Sequence, residues 1–281
     1  MKKDEITTFV KNSFKKIDKL FHKIIIDFET EDIQEFRVEI KKLRAFFHLL
    51  DMEENGTVQF KITRKMKTFY GYIGIIRNVQ LHLEKIKSYC ENLPENLPVS
   101  YVAKLTKELG YWKKNTTEFM DFHNNFYNDE DEIIEELPDK LRKTSIKKFV
   151  HYIAYELQKL LLHSDDETLH SIRKLLEDVV YNWAFVQPYF VPLSAGLCRE
   201  EEIGSLIEML AVFRDKCIDV TLLQTYYEDS PEYDEIVLQN IIHAWNTQKQ
   251  ELRQIIFDWL DLIQLRPLKV KRLPFIGTDH G

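Results

Sequence analysis

Between residues 36 and 50 the sequence sets Phe36, Ile40, Leu43, Phe47 and Leu50 at steps of four, three, four and three. That spacing follows the 3.6-residue turn of an α-helix and gathers the apolar side chains on one face, where a strand would need alternation. Similar patterns recur along the chain with few interruptions, because Gly and Pro number only 8 each among 281 residues. The chain therefore reads as all-α. Eight helical segments are predicted, at about 5–28, 31–52, 57–91, 98–128, 139–164, 166–189, 199–228 and 231–263. Asn55-Gly56, the stretch from Leu93-Pro94 to Pro98, and Ser230-Pro231 act as breakers. A hydrophobic share of 44% supplies a sizeable core, and 30% charged residues supply solvated helix faces.

The two halves of the sequence resemble each other. A shift of 136 lays residues 9–48 on 145–184 without a gap. Arg37 then meets Arg173, Glu31 meets Glu167, Lys11 meets Lys147, Lys23 meets Lys159 and Ile17 meets Ile153. Apolar positions coincide as well: Ile33 with Leu169, Phe36 with Ile172, Leu43 with Val179, Phe47 with Trp183. A shift of 139 lays Arg77-Asn78-Val79-Gln80-Leu81 on Lys216-Cys217-Ile218-Asp219-Val220. Two four-helix units are expected, over 5–128 and 139–263, with the acidic stretch from Asp129 to Pro138 between them and an extended basic tail over 264–281.

One residue along from the apolar face of the second segment runs a polar stripe: Gln34, Arg37, Lys41, Arg44 and His48, with Lys42 beside it. A step of one residue turns about 100° around a helix, so the stripe flanks the core face and can line a groove between helices. Like charges at i,i+4 repel by a few tenths of a kcal/mol, and a bound anion would offset this. Arg offers a planar fork to phosphate oxygens and Lys a point charge. The bland alternative is that these side chains pair with nearby acids such as Glu35 and Glu39. The counterpart stripe in the second half is His170, Arg173, Glu177, Val180 and Ala184, so basic charge is concentrated in the first half. Residues 1–90 carry +5 and the remainder −12, within a net charge of −7. That balance argues against nonspecific nucleic-acid binding but leaves room for a local basic site.

Other constellations read as structural. Lys11, Lys15, Lys19 and Lys23 recur every fourth residue as a solvated face, and Lys61, Arg64, Lys65 and Lys67 open the third segment. Trp112, Trp183, Trp245 and Trp259 fall in apolar patterns as core anchors. The acid runs Asp129-Glu130-Asp131-Glu132 and Asp165-Asp166-Glu167 read as solvated or helix-capping charge. Cys90, Cys198 and Cys217 form no C-x-x-C pair, and the histidines show no H-x-x-x-H spacing, so no metal or disulfide framework is expected. No Walker loop, dinucleotide fingerprint, nucleophile elbow or kinase signature occurs. Without an apolar leader or a membrane-spanning run, a cytoplasmic protein is expected.

Gln34-Glu35-Phe36-Arg37-Val38-Glu39-Ile40-Lys41-Lys42-Leu43-Arg44-Ala45 resembles the signature helix of the CHAD family, the conserved-histidine α-helical domain, whose pattern is roughly H-x-x-R-V-x-x-[KR]-[KR]-L-R-A. Ile73-Gly74-Ile75-Ile76-Arg77-Asn78-Val79, Leu169-His170-Ser171-Ile172-Arg173-Lys174 and Lys216-Cys217-Ile218-Asp219-Val220 are similar to its later motifs, in the same order. Residues 1–281 then form one CHAD-like domain. The resemblance implies two pseudo-symmetric four-helix bundles, a basic channel between them, binding of inorganic polyphosphate, and no enzymatic activity or cofactor. Carried over by position, the polyphosphate-contacting residues are Arg37, Lys41, Lys42, Arg44, Arg77, His170, Arg173, Lys174 and Lys216. The sequence departs from the pattern at Gln34, in place of the first signature histidine, at Asn78 and Gln80, and at Glu177 and Asp178, which stand opposite Lys41 and Lys42. The alternative function is a protein-interaction scaffold whose anion site has decayed.

Overall fold

The computed structural model describes residues 1–53, 60–91, 97–123, 127–163, 165–190, 199–227 and 232–262. The described residues are helical, with one isolated backbone bridge between Lys2 and Lys140. The helices are α1 (Lys3–Asp27), α2 (Thr30–Asp51), α3 (Arg64–Cys90), α4 (Val99–Phe122), α5 (Tyr127–Glu136), α6 (Lys143–Leu160), α7 (Asp166–Tyr181), the short α8 (Trp183–Val186), α9 (Glu200–Tyr227) and α10 (Glu232–Leu262). Cys198, the tail over 264–281 and the breakers Asn55-Gly56, Leu93-Pro94 and Ser230-Pro231 lie outside the described residues.

Three expectations change. The third helix starts at Arg64 rather than near 57, because Thr63 takes an extended backbone and its side chain accepts the Met66 N–H at 3.2 Å. Lys61 therefore precedes the helix. The acidic stretch expected as a linker is mostly α5, which packs on α1. Ile133 and, just past the helix, Leu137 recur at i and i+4 and enter the core, while Asp131, Glu132, Glu135 and Glu136 are exposed on the outer face of the helix. The helix expected over 166–189 breaks at Asn182, whose buried side chain donates to the carbonyls of Ala45 at 2.8 Å and Asp178 at 2.9 Å. The chain resumes as α8 and a short 3-10 turn that includes Pro188.

Neighbouring helices pack in the same order in each half. α1 lies on α2, α2 on α3 and α3 on α4; α6 lies on α7, α7 on α9 and α9 on α10. Between the halves, α2 lies along α7, and α4 touches α10. This position explains why α2 buries more than the single face its periodicity foretold. Phe36, Ile40, Leu43, Phe47 and Leu50 are fully buried, and so are Ala45, Phe46 and Leu49. One apolar cluster runs from Ile6 on α1 to Leu260 on α10. A second joins the later turns of α3 and α9 to the early turns of α4 and α10. All four tryptophans belong to or pack on these clusters.

Buried polar groups tie the helix ends together. Glu53, just past α2, accepts from the Arg142 backbone N–H at 2.9 Å and the Ser145 hydroxyl at 2.6 Å, and pairs with the Arg142 guanidinium. It thus supplies an acceptor to the amino end of α6, where Arg142 has no capping side chain of its own. Phe28 ends α1 at φ 59°, a left-handed conformation that glycine adopts more cheaply. Its carbonyl accepts from Gln80 at 2.9 Å, which gives that departure from the family pattern a structural task.

In the second cluster His82, fully buried, stands between Asp219 and Tyr101. Its Nδ1–H donates to Asp219 at 2.8 Å, and its Nε2 accepts from the Tyr101 hydroxyl at 2.6 Å. Burial, reinforced by the Asp219 charge, raises the Tyr101 pKa and keeps its hydroxyl a donor. Burial opposes ionisation of Asp219, but hydrogen bonds from His82 and Lys85 outweigh it and hold its carboxyl below the usual range. The Asp219→Asn variant should lose about 3 kcal/mol of stability, as expected when one partner of a buried ionic network is neutralised. An unchanged urea midpoint in that variant would show that the network does not stabilise the fold.

Candidate functional site

α2, α3 and α7 bring Arg37, Lys41, Arg77 and Arg173 into one half-buried seam. Their order on the helices explains the convergence. Arg37 and Lys41 lie one turn apart on α2, beside the apolar stripe that packs inward. Arg173 is the position that the shift of 136 pairs with Arg37, and it sits on the α7 face turned to α2. The Arg37 guanidinium lies 4.2 Å over the Tyr70 ring and donates to the Tyr70 carbonyl at 3.3 Å. One end of it also passes close against Gly74. A methyl placed there would sit 3.3 Å from Cζ and closer still to Nη1. The glycine in the family motif is thus explained by the passage of an arginine rather than by backbone conformation.

Few acids balance these charges. Glu177 pairs with Lys41 at 2.9 Å and with Arg173 at 3.6 Å. Asp215 on α9 acts on Arg37 electrostatically. The Nε atoms of Arg77 and Arg173 are buried and unpartnered, an arrangement that costs about 1–3 kcal/mol for each donor left dry. Burial lowers the pKa of Arg37, and Arg77 and Arg173 add to the effect. Burial likewise lowers that of Lys41, with Glu177 opposing and Arg173 and Arg37 reinforcing. Both shifts record cations that are short of water.

His170, one turn before Arg173, accepts from the Arg173 guanidinium on Nδ1 at 3.5 Å, so its ring proton sits on Nε2. Burial lowers its pKa to about 4, helped by Lys174, Arg214 and Arg173. His170 is therefore neutral near pH 7, with an N–H donor on Nε2.

The remaining expected residues lie around the seam rather than in it. Lys42 turns away from Lys41 toward Glu39, at 2.9 Å, on the α1 side of α2. Arg44 is exposed and lines a cavity of about 440 Å³ with Lys61, Lys67, Asp51 and Phe60. Lys174 is exposed on α7. Lys216 donates to Gln248 at 2.6 Å and lies 5.2 Å over the Trp245 ring, with Asp219 and Lys85 as charged neighbours. Gln34 is exposed, and His48 is held by Asp178 at 2.8 Å. The departure Glu177 thus neutralises a cation of the first-half stripe, and the departure Asp178 holds its histidine. Sequence reading missed Tyr70, Tyr181 and the task of Gly74. The motif contained the glycine, but only the packed helices show what passes it. Among the described residues no group of three or more His, Cys, Asp or Glu side chains could hold a metal ion, and no helix is long and apolar enough to cross a membrane.

The model of the CHAD domain family matches residues 10–200, more than half of the chain, and this protein belongs to that family. Among solved structures, the crystal structure of the CHAD domain from the plant Ricinus communis superposes with a TM-score of 0.71 at 14% identity, covering 94% of this chain and 92% of that one. PptA from Streptomyces chartreusis superposes with a TM-score of 0.63 at 13% identity, covering 93% of this chain and 99% of that one. No curated protein matches the sequence. At such identities the superpositions speak to the fold.

Two predictions follow from the geometry. Gly74→Ala should push the flexible end of Arg37 off Tyr70 while changing stability by no more than about 1 kcal/mol, because alanine's better helix propensity offsets the clash; an Arg37 guanidinium NMR signal unchanged in the variant would refute this packing. Because His170 binds a proton less readily folded than unfolded, its contribution is full above its ordinary pKa of 6.5 and is lost as pH falls from there toward about 4. The His170→Gln variant should flatten that part of the stability–pH curve.

Proposed function

We propose that this protein is a non-catalytic binding module whose ligand is inorganic polyphosphate or a closely similar phosphate-rich chain, taken up at the seam of Arg37, Lys41, Arg77 and Arg173. The observation that carries this reading is the pair of buried, unpartnered guanidinium donors on Arg77 and Arg173 beside two further cations stripped of water. Phosphate oxygens would accept from those donors and supply the missing negative charge. Membership of the CHAD family supports the same ligand class. The reading of two related bundles is supported by α2 meeting α7 at Lys41 and Glu177, residues that the shift of 136 pairs.

Glu177 gives this member a distinctive property. Its carboxylate pairs with both Lys41 and Arg173, so a phosphate chain contacting those cations would displace it or bind beside it. Calorimetric titration with long-chain polyphosphate at low and moderate salt tests the proposal. Binding should weaken steeply with salt as counterions are released. The Arg77→Gln/Arg173→Gln variant, checked for native helicity, should lose it. Glu177→Gln should bind about tenfold tighter, equivalent to freeing roughly 1.4 kcal/mol of charge-assisted contact. Absence of binding to the parent protein at low salt would refute the reading. An unaltered Glu177→Gln affinity would remove the carboxylate from it.

A further inference from the structure

A groove of about 580 Å³ runs between α1, α2 and the end of α7, on the opposite side of the α2 stripe from Arg44. Lys15, Lys16 and Lys19 line it from α1, Lys42 and Glu39 from α2, and Tyr181 from α7. Glu39 is its single carboxylate and is shared, at 2.9 Å from Lys42 and 4.0 Å from Lys16. Four ammonium groups against one carboxylate leave the groove with a formal excess of three positive charges. The structure divides the lysine row of α1 in a way its four-residue period does not. Lys15 and Lys19 face the groove and are joined there by Lys16, whereas Lys23 is tied to Asp32 at 2.9 Å.

The groove adjoins the seam. Lys41 and Lys42 are consecutive and so diverge by about 100° around α2. Lys41 reaches Glu177 in the seam, and Lys42 reaches Glu39 in the groove. Tyr181, one turn beyond Glu177, forms part of the groove wall and lies within electrostatic reach of Glu177, Arg173 and Glu39 together. Tyr181 therefore borders both cationic compartments, and in neither do the acids match the cations.

We propose that the groove is a second anion compartment, and that one extended phosphate chain occupies seam and groove together, so that the protein selects long chains over short ones. This rests on the seam being the primary anion site. A short oligophosphate fills the seam alone. A long chain continues past Tyr181 to the lysines, and its second contact is intramolecular, gaining from high effective concentration.

Titrations of the full chain with tripolyphosphate and with long-chain polyphosphate, for the parent and two variants, test this. Lys15→Gln/Lys16→Gln/Lys19→Gln removes groove charge from exposed positions. Lys104→Gln/Lys107→Gln/Lys114→Gln removes the same charge from exposed positions on α4 and controls for net charge. The groove variant should lose about tenfold or more in affinity for the long chain while binding tripolyphosphate as the parent does. The α4 variant should bind both as the parent does. Parent-like long-chain binding by the groove variant, or an equal loss in the α4 variant, overturns the second compartment and leaves the seam standing. A parent that binds neither ligand overturns the seam and this proposal with it.

Discussion

Lys41 and Glu177 are separated by 136 residues, the interval at which the sequence resembles itself, and their side chains meet at 2.9 Å. The pair lies where α2 runs along α7, the contact through which the two halves of the chain share a core. Its worth cannot be read from Coulomb attraction alone, because both partners are largely removed from water. Desolvation of a buried pair takes back much of what the attraction supplies. The stabilising share comes from the surrounding packing of Phe36, Ile40, Leu43 and Phe47 on α2 against their surroundings, with Leu169, Ile172 and Leu176 on α7 in the same cluster. The ion pair favours this alignment of the two helices, since sliding α2 by one turn would part Lys41 from Glu177.

The same contact sets the electrostatic character of the site. Three arginines and a lysine in one seam are half removed from solvent by the helices that carry them, and one glutamate meets part of the imbalance. Aromatic surfaces meet another part: Tyr70 lies under Arg37, where the negative face of the ring offsets some lost hydration. What remains is concentrated on the Nε atoms of Arg77 and Arg173. A fold stabilised by burial can tolerate a few kcal/mol of such deficit at one place, and it is at binding sites that deficits of this kind are kept.

Helix type and the inward face of α2 were legible because a 3.6-residue period is a local signal that survives any packing arrangement. The second buried face of α2 was not, since Ala45, Phe46 and Leu49 acquire burial only from the helices packed around α2, as where Phe46 meets Phe9 of α1 and Phe185 of α8. The helical state of α5 was hidden by its acids, although Ile133 and Leu137 carried the pattern. Within the site, Arg37, Arg77 and Arg173 could be read from motif order. The divergence of Lys41, Lys42 and Arg44 into three surroundings could not. Adjacent residues on a central helix face different neighbours, and the sequence does not state which neighbours those are. The consequence of Glu177 was visible as a charge reversal but not as an internal partner for Lys41.

Glu53 ties the end of α2 to the start of α6, at a sequence separation of 89 from Arg142. During synthesis this carboxylate is made long before the N–H and hydroxyl groups that will receive it. Until Ser145 has left the ribosome, the end of the signature helix has no partner for a charge destined for burial, and α6 in its turn begins without a local cap. Contacts of such sequence separation are closed late and slow the overall reaction. The first half of this chain therefore waits, with part of its polar accounting open, for the second half to arrive.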